Sequence, residues 1–207
     1  TIYIALRMDR KPFNDVRVRR ALNMAIDKAA LLKAFDGGHG ELLNAFYPPY
    51  NKSVHTPLNK LPPTAKDLFI YNPDKAKKLL VEAGYPNGFS FKCTLAGEEA
   101  WRTDYMAMIA AMLAKVGVTM EIELTDYPTG MSRMTKKTHE NAYFIPNPHA
   151  APLVQIRKLF LTGQPWNASM MSDPYVDKTW NMLYSNPQLT QQQLDAEFKK
   201  LGVYIIE

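Results

Sequence analysis

The chain has 207 residues, 46% of them hydrophobic and 22% charged, a globular balance that excludes a disordered, collagen-like or coiled-coil chain. Its longest unbroken apolar stretch, Met106 to Ala114, is about half of the ~18 to 20 residues that a membrane-crossing helix needs. The single cysteine, Cys93, excludes an internal disulfide and any multi-cysteine metal site, and a formal charge of +5 balanced locally by acids gives no indication of nucleic-acid binding.

Ile2, Ile4 and Leu6 alternate with Tyr3 and Ala5, which predicts a short opening strand. Asn14 or Asp15 can cap the helix that follows, whose apolar stripe is Val18, Leu22, Ala25 and Ile26; Arg17, Arg20 and Lys28 fall on another face. Asp27 is placed to cap a second short helix, Lys28 to Phe35, which Gly37 and Gly38 end. From Gly37 to Leu68 the chain carries Pro48, Pro49, Pro57, Pro62 and Pro63 with little apolar periodicity, which predicts a long ordered loop. Within it, Gly37-Gly38-His39-Gly40 lacks the strand and helix of a phosphate-cradling loop and reads as a turn. Asn72-Pro73-Asp74 then starts a helix by three agreeing devices: a cap, a proline at the first helical position and an acid against the dipole.

Phe89 to Leu95 alternates strictly and predicts a strand in which Cys93 is a small core residue. Glu98 to Val116 is expected to be a helix buried along Trp101, Tyr105, Met108, Ile109, Met112, Leu113 and Val116, and Val118 to Thr125 alternates again with Val118, Met120, Ile122 and Leu124 inward. Strand, helix and strand in succession make a βαβ unit. Tyr127 to Thr138 predicts a short helix, Asn141 to Ile145 a strand, Leu153 to Phe160 a helix, and Gly163 to Asn167 a loop presenting Trp166. Asp173-Pro174 starts a helix with Val176, Trp180, Leu183 and Tyr184 inward. Thr190 and Gln193 form a capping box for a last helix along Leu194, Phe198 and Leu201, and Val203 to Ile206 suggests the start of a final strand. With a strand at each end and no leader, the chain reads as a piece excised from something longer.

Two stretches go beyond a generic α/β sequence. The run Pro12-Phe13-Asn14-Asp15-Val16-Arg17-Val18-Arg19-Arg20-Ala21-Leu22-Asn23-Met24-Ala25-Ile26-Asp27-Lys28 closely resembles the signature of the family 5 extracellular solute-binding proteins, the oligopeptide-, dipeptide- and nickel-binding receptors of ABC importers. Tyr71-Asn72-Pro73-Asp74-Lys75-Ala76-Lys77-Lys78-Leu79-Leu80-Val81-Glu82-Ala83-Gly84-Tyr85-Pro86 resembles the second hallmark, in the expected order. The resemblance implies an α/β fold, a type II periplasmic-binding-protein-like lobe with a mixed sheet flanked by helices. It further implies that residues 1–207 are the C-terminal lobe alone, with the N-terminal lobe absent from this chain. The expected partners are a small-molecule or peptide ligand, the protein's own N-terminal lobe and an ABC permease at the membrane, with no nucleic acid; the expected location is periplasmic or cell-surface.

In this resemblance the ligand face is built by the segment after the second strand of the βαβ unit and by the strand ending near Ile145. Tyr127 matches a cleft aromatic, Arg133 falls near a ligand-facing arginine of some relatives, and Phe144-Ile145 match a Gly-Trp step. Asn147 and Trp166 complete the expected ligand-binding set. Pro148 and Ala151 stand where peptide-binding relatives carry acids, so the usual amine anchor is missing and the face suits a neutral or anionic solute. Arg17 and Arg20 are expected to be structural or surface residues. His139 and His149 lack local metal-ligand spacing, so no metal, no cofactor and no catalytic residue are expected. The alternative function is the ligand-sensing domain of a transcription regulator, where similar lobes follow a helix-turn-helix.

Overall fold

Strict side-chain alternation in four short segments yields one mixed sheet: β1 (Ile2–Leu6), β2 (Phe89–Ala96), β3 (Val118–Thr125) and β4 (Ala142–Pro146), in the order β1-β4-β2-β3. The computed structural model describes residues 2–39, 47–97, 99–146 and 151–207. β2 pairs with β3 in parallel from Phe89↔Val118 to Ala96↔Thr125, and with β4 in parallel through Cys93↔Ala142 and Thr94↔Tyr143. β1 runs antiparallel to β4, Ile2 opposite Pro146 and Leu6 opposite Ala142. The expected α/β lobe with a mixed, helix-flanked sheet is the fold observed.

Because successive side chains of a strand point to opposite faces, each face of the sheet collects its own cluster. Ile2, Ile4 and Leu6, Phe91, Cys93 and Leu95, Val118, Met120 and Ile122, and Ala142 and Phe144 pack with helices α1 (Val16–Ala25), α2 (Lys28–Asp36), α4 (Pro73–Glu82) and α5 (Ala100–Ala114). The other face, Tyr3, Ala5, Ala96, Tyr143 and Ile145, packs with α6 (Tyr127–Thr135), α7 (Pro152–Phe160) and the loop carrying Trp166 and Ala168. A third cluster joins α7 to α8 (Pro174–Ser185) and α9 (Gln191–Ile206), and takes in Tyr47 and Val54. Cys93 is a buried core residue, its thiol pushed up by burial.

The predicted caps form. Asp15 accepts from the Arg17 amide, Asp27 from Ala30, Asn72 from Lys75 and Asp173 from Tyr175 and Val176, and Thr190 with Gln193 completes the capping box. Arg17 chelates Asp15 and donates to the Glu82 carbonyl at 2.7 Å, while Arg20 donates to the Glu207 carbonyl at 2.6 Å. Both therefore tie α1 to its neighbours, as expected of structural arginines.

Five expectations are corrected. The proline-rich loop contains a short helix, α3 (Pro63–Asp67), because Pro63 occupies its first turn, where a missing N–H costs nothing, and Ala65 is buried beneath it. Val203 to Ile206 continue α9 instead of opening a strand, since Phe198, Leu201 and Ile205 lie at helical spacing against the third cluster and packing outweighs β-branched propensity. Trp101 is exposed in the first turn of α5, and Met106 takes the core position. Leu124 is exposed at the end of the edge strand, which has a neighbour on one side only. Tyr184 is exposed too, stacked on Trp180 at 4.7 Å.

Candidate functional site

Since β2, β3 and β4 run parallel, their carboxyl ends share one edge, and open α/β sheets bind ligands just outside that edge. The edge is built tightly. The Gly97 amide donates to the Thr125 carbonyl at 3.1 Å and extends the β2–β3 pairing by one residue. α6 starts at once: Asp126 accepts from the Thr129 amide at 2.9 Å, and those Thr129 hydrogen bonds hold its carboxyl below the usual range. α6 can lie flat on the sheet because residue 130 is glycine; a Cβ there would stand 2.3 Å from the Ala96 Cβ and 2.7 Å from the Thr125 Oγ1.

Tyr127, first residue of α6, projects from this edge with 55% of its surface exposed. Beneath it, buried Tyr143 donates to Met131 Sδ at 4.0 Å. Burial pushes its phenol up to about 12, with Tyr127 adding and Arg102 opposing, which places both of those residues within electrostatic reach of one hydroxyl.

The β2–α5 turn supplies the other half of the edge. Gly97 adopts φ +110, open to glycine and strained for other residues, and the space its Cβ would need holds Arg102 Nη1 and Glu99 Oε2, each 2.9 Å away. Arg102 donates to the carbonyl of Ala96, the last residue of β2, at 3.0 Å and pairs with Glu99 Oε1 at 2.9 Å. Its side chain is 13% exposed against 50% for Glu99, so the carboxylate is the outer member of the pair. The guanidinium lies 5.5 Å from the Trp101 ring, itself 44% exposed.

The structure separates the residues expected to bind ligand. Phe144 is 1% exposed and points into the α1–α5 cluster, and Ile145 is 2% exposed on the opposite face. Both side chains are packed into core clusters of the sheet. Arg133 is held on the flank of the sheet, where its Nη1 donates to Glu123 Oε1 at 2.7 Å and Thr94 donates to Glu123 Oε2 at 2.9 Å. Burial, the largest influence on the Glu123 carboxyl, raises it, but the Arg133 and Thr94 hydrogen bonds together leave it below its ordinary value.

Trp166 is partly buried against the cluster that holds Ala96, Tyr143 and Ile145. Lys137, just before β4, donates to the carbonyls on both sides of it, Pro165 at 2.8 Å and Asn167 at 2.8 Å, and to Gln164 at 2.9 Å, and Lys158 covers the indole at 3.8 Å. Asn147, Pro148 and His149 lie outside the described residues, and Ala151 is exposed ahead of α7. His139 is a buried residue whose Nε2 bonds the Ala168 carbonyl at 2.9 Å; no group of three metal-ligating side chains occurs among the described residues. Of the expected set, Tyr127 alone is seen exposed at the strand-end edge. Glu99, Trp101 and Arg102 were missed by the sequence reading, although Gly97 followed by a charged run at a strand end was the signal.

Residues 1–152 match the sequence model of the bacterial extracellular solute-binding proteins, family 5 Middle. The chain belongs to this family. The heme-binding protein A of Haemophilus influenzae is 42% identical over 87 residues, 42% of this chain and 14% of that protein. The glutathione-binding protein GsiB of Pectobacterium atrosepticum is 28% identical over 211 residues, 94% of this chain and 35% of its own. Among solved structures, HbpA2 from Haemophilus parasuis superposes with a TM-score of 0.83 at 24% identity, over 99% of this chain and 40% of its own. The periplasmic binding protein DppA from Helicobacter pylori, in complex with the peptide STSA, gives 0.81 at 23% identity, over 99% and 39%. The chain thus spans about a third of the length of the glutathione-binding relative, and the structural likenesses carry the fold.

Proposed function

We propose that this chain is one lobe, the C-terminal one, of the substrate-binding component of an ABC importer, which captures a small solute between two lobes and delivers it to a membrane permease from the periplasm or cell surface. The observation that carries the reading is the family match over residues 1–152 on a lobe whose parallel strand ends present Tyr127, Trp101 and the Glu99–Arg102 pair toward solvent. Relatives are named for binding heme and glutathione and a structural neighbour holds a peptide, which supports a binding role over an enzyme and over a transcription regulator. Among the described residues no helix is long and apolar enough to cross a membrane.

In this reading the strand-end edge is one wall of the cleft, Tyr127 is its aromatic contact, and contacts made only when the lobes close shift the hinge equilibrium. Arg133 reaches solute only by leaving Glu123, and Trp166 acts through loop structure. Native mass spectrometry of the full-length receptor purified from its host tests the proposal. A stoichiometric small molecule that leaves on unfolding is the expected result, and a receptor that never carries or takes up a solute overturns it.

A further inference from the structure

We propose that His139 is an acid-released latch: its neutral ring fastens the loop of residues 163–171 beside β4, and a second proton on that ring lets the loop go. The imidazole is 1% exposed, and its Nε2 lies 2.9 Å from the Ala168 carbonyl. A carbonyl only accepts, so Nε2 holds the single hydrogen of the neutral ring and donates it. Nδ1 is buried as well and has no hydrogen-bond partner among the described residues. The Arg133 carbonyl, which favours a proton on the ring, already takes the Thr138 amide at 2.9 Å and the Thr138 hydroxyl at 3.5 Å. The surroundings are thus complete for the neutral ring and leave an N–H at Nδ1 without an acceptor of its own.

The charges around the ring oppose that second proton from every side. Arg7, buried just after β1, donates to the His139 carbonyl at 2.9 Å, and Lys137 stands two residues before the histidine. Residues 163–171 carry no titratable side chain, and Tyr143 of β4 meets the ring edge to face at 5.8 Å with a phenol that burial keeps neutral. The carboxylates of the surrounding elements are engaged elsewhere: Asp9 with Arg7 at 2.6 Å, Glu140 with Lys92 at 3.1 Å and Glu123 with Arg133 at 2.7 Å. Burial first, and then the charges of Arg7 and Lys137, hold the imidazole below its usual value against the pull of the Ala168 and Arg133 carbonyls. Below about pH 6.5, where an exposed histidine takes up a proton, the open loop binds a proton that the closed loop refuses. Closure therefore weakens as the pH falls through that value and is at full strength above it. The other ties of the loop to this region, Met8 to the Ser169 carbonyl at 2.8 Å and Lys137 to three carbonyls, offer no acceptor to a charged ring.

Hydrogen exchange of the full-length protein without added solute, followed by mass spectrometry at pH 7.5 and pH 5 and corrected for the intrinsic pH dependence of exchange, tests the latch. Protection of residues 163–171 is expected to fall about tenfold or more at the lower pH relative to α1 and α5, because opening frees a histidine of ordinary proton affinity. His139→Gln keeps a side-chain N–H for the Ala168 carbonyl and takes up no proton, so its loop is expected to lose this pH dependence. An NMR titration of the His139 ring in the unsubstituted protein is a second readout that needs no variant: the midpoint is expected below ~6.5, with the hydrogen of the neutral ring on Nε2. Loop protection that ignores pH, that falls no more than in α1 and α5, or that keeps its pH dependence in His139→Gln overturns the proposal. A ring that titrates at or above ~6.5 overturns it as well, even if the variant does not fold.

Discussion

Gly130 of α6 rests against Ala96 at the end of β2 so closely that a methyl group at 130 would stand 2.3 Å from the Ala96 Cβ. This contact fixes the height of α6 over the sheet and hence where Tyr127, three residues earlier, leaves it. Gly130→Ala gains about 1 kcal/mol of helix propensity but overpacks a site where the nearest atoms include the Ala96 backbone, at a cost of about 1–3 kcal/mol. The net expectation is destabilisation by about 1 kcal/mol, a fall in melting temperature of ~2–4 °C. Ala96→Gly in the same chain is expected to recover part of the loss; thermal melts of the two single variants and the double variant that simply add exclude the contact.

A second prediction concerns Lys28, whose ammonium is buried between α1 and α3 and donates to the Asn23 carbonyl at 3.0 Å and, weakly, to Leu68 at 3.4 Å. Burial, only partly offset by the charge of Asp27, brings this lysine down to about 8, against about 10.4 in an unfolded chain. Between those two values the unfolded chain binds the extra proton, so stability from this site rises with pH across the window and the penalty is constant below it. Lys28→Met is expected to remove that slope. Urea unfolding at pH 7 and pH 9.5 should give a difference between native and variant that changes by about 1–2 kcal/mol; a constant difference rejects the depressed lysine.

How far the sequence reached can be seen at particular residues. Local chemistry was legible: the caps at Asp15, Asp27, Asn72, Asp173 and Thr190 form because each is decided within four residues. The two faces of the sheet were legible for the same reason, since alternation is a local pattern. What was not legible depended on depth. Phe144 and Ile145 sit at the right strand end, but nothing in their own stretch of sequence tells that α5 covers one and α6 and α7 the other. For Trp166 the sequence shows an aromatic in a loop, but not that Lys158 covers its ring or that Lys137 ties down the carbonyls on either side of it. Glu99 and Arg102 went unnoticed because a salt bridge over a glycine is a contact between groups, and composition records only that the groups exist.

The loop around Trp166 yields a third prediction. Lys137, a non-glycine residue at φ +61, holds three backbone carbonyls of the 164–167 segment, and Arg7 in turn donates to the Lys137 carbonyl at 2.7 Å and that of His139 at 2.9 Å. No carboxylate shares the lysine in these bonds, so the loop is closed by charge against carbonyl dipoles. Lys137→Met fills similar volume without the donors and is expected to cost about 2–3 kcal/mol, from charge-assisted bonds lost at a half-buried site. Hydrogen exchange should be accelerated at residues 163–171 well beyond the global change, whereas uniform acceleration through the chain would mean that Lys137 is not a local clamp.

The last prediction bears on the division of labour between lobes. The described wall is an edge: Tyr127, Trp101 and Glu99 face outward from strand ends, and the more deeply placed Phe144 and Ile145 are already buried by their own lobe. A drug-sized ligand in a specific site normally has about 70–90% of its surface covered, and a single wall of this kind covers one side. Three apolar clusters joined through the sheet and through Phe160, which packs in two of them, give the chain its own core, so it is expected to fold alone with a single cooperative thermal transition. Binding should then be lost without loss of structure. Calorimetry with the solute recovered from the whole receptor is expected to show the 207-residue chain binding at least ~100-fold more weakly, a deficit of about 2.7 kcal/mol. Equal affinity of the two proteins would place the complete site within this lobe and sink the two-wall reading, and a chain that melts without cooperativity would show that the second lobe is needed for the fold itself.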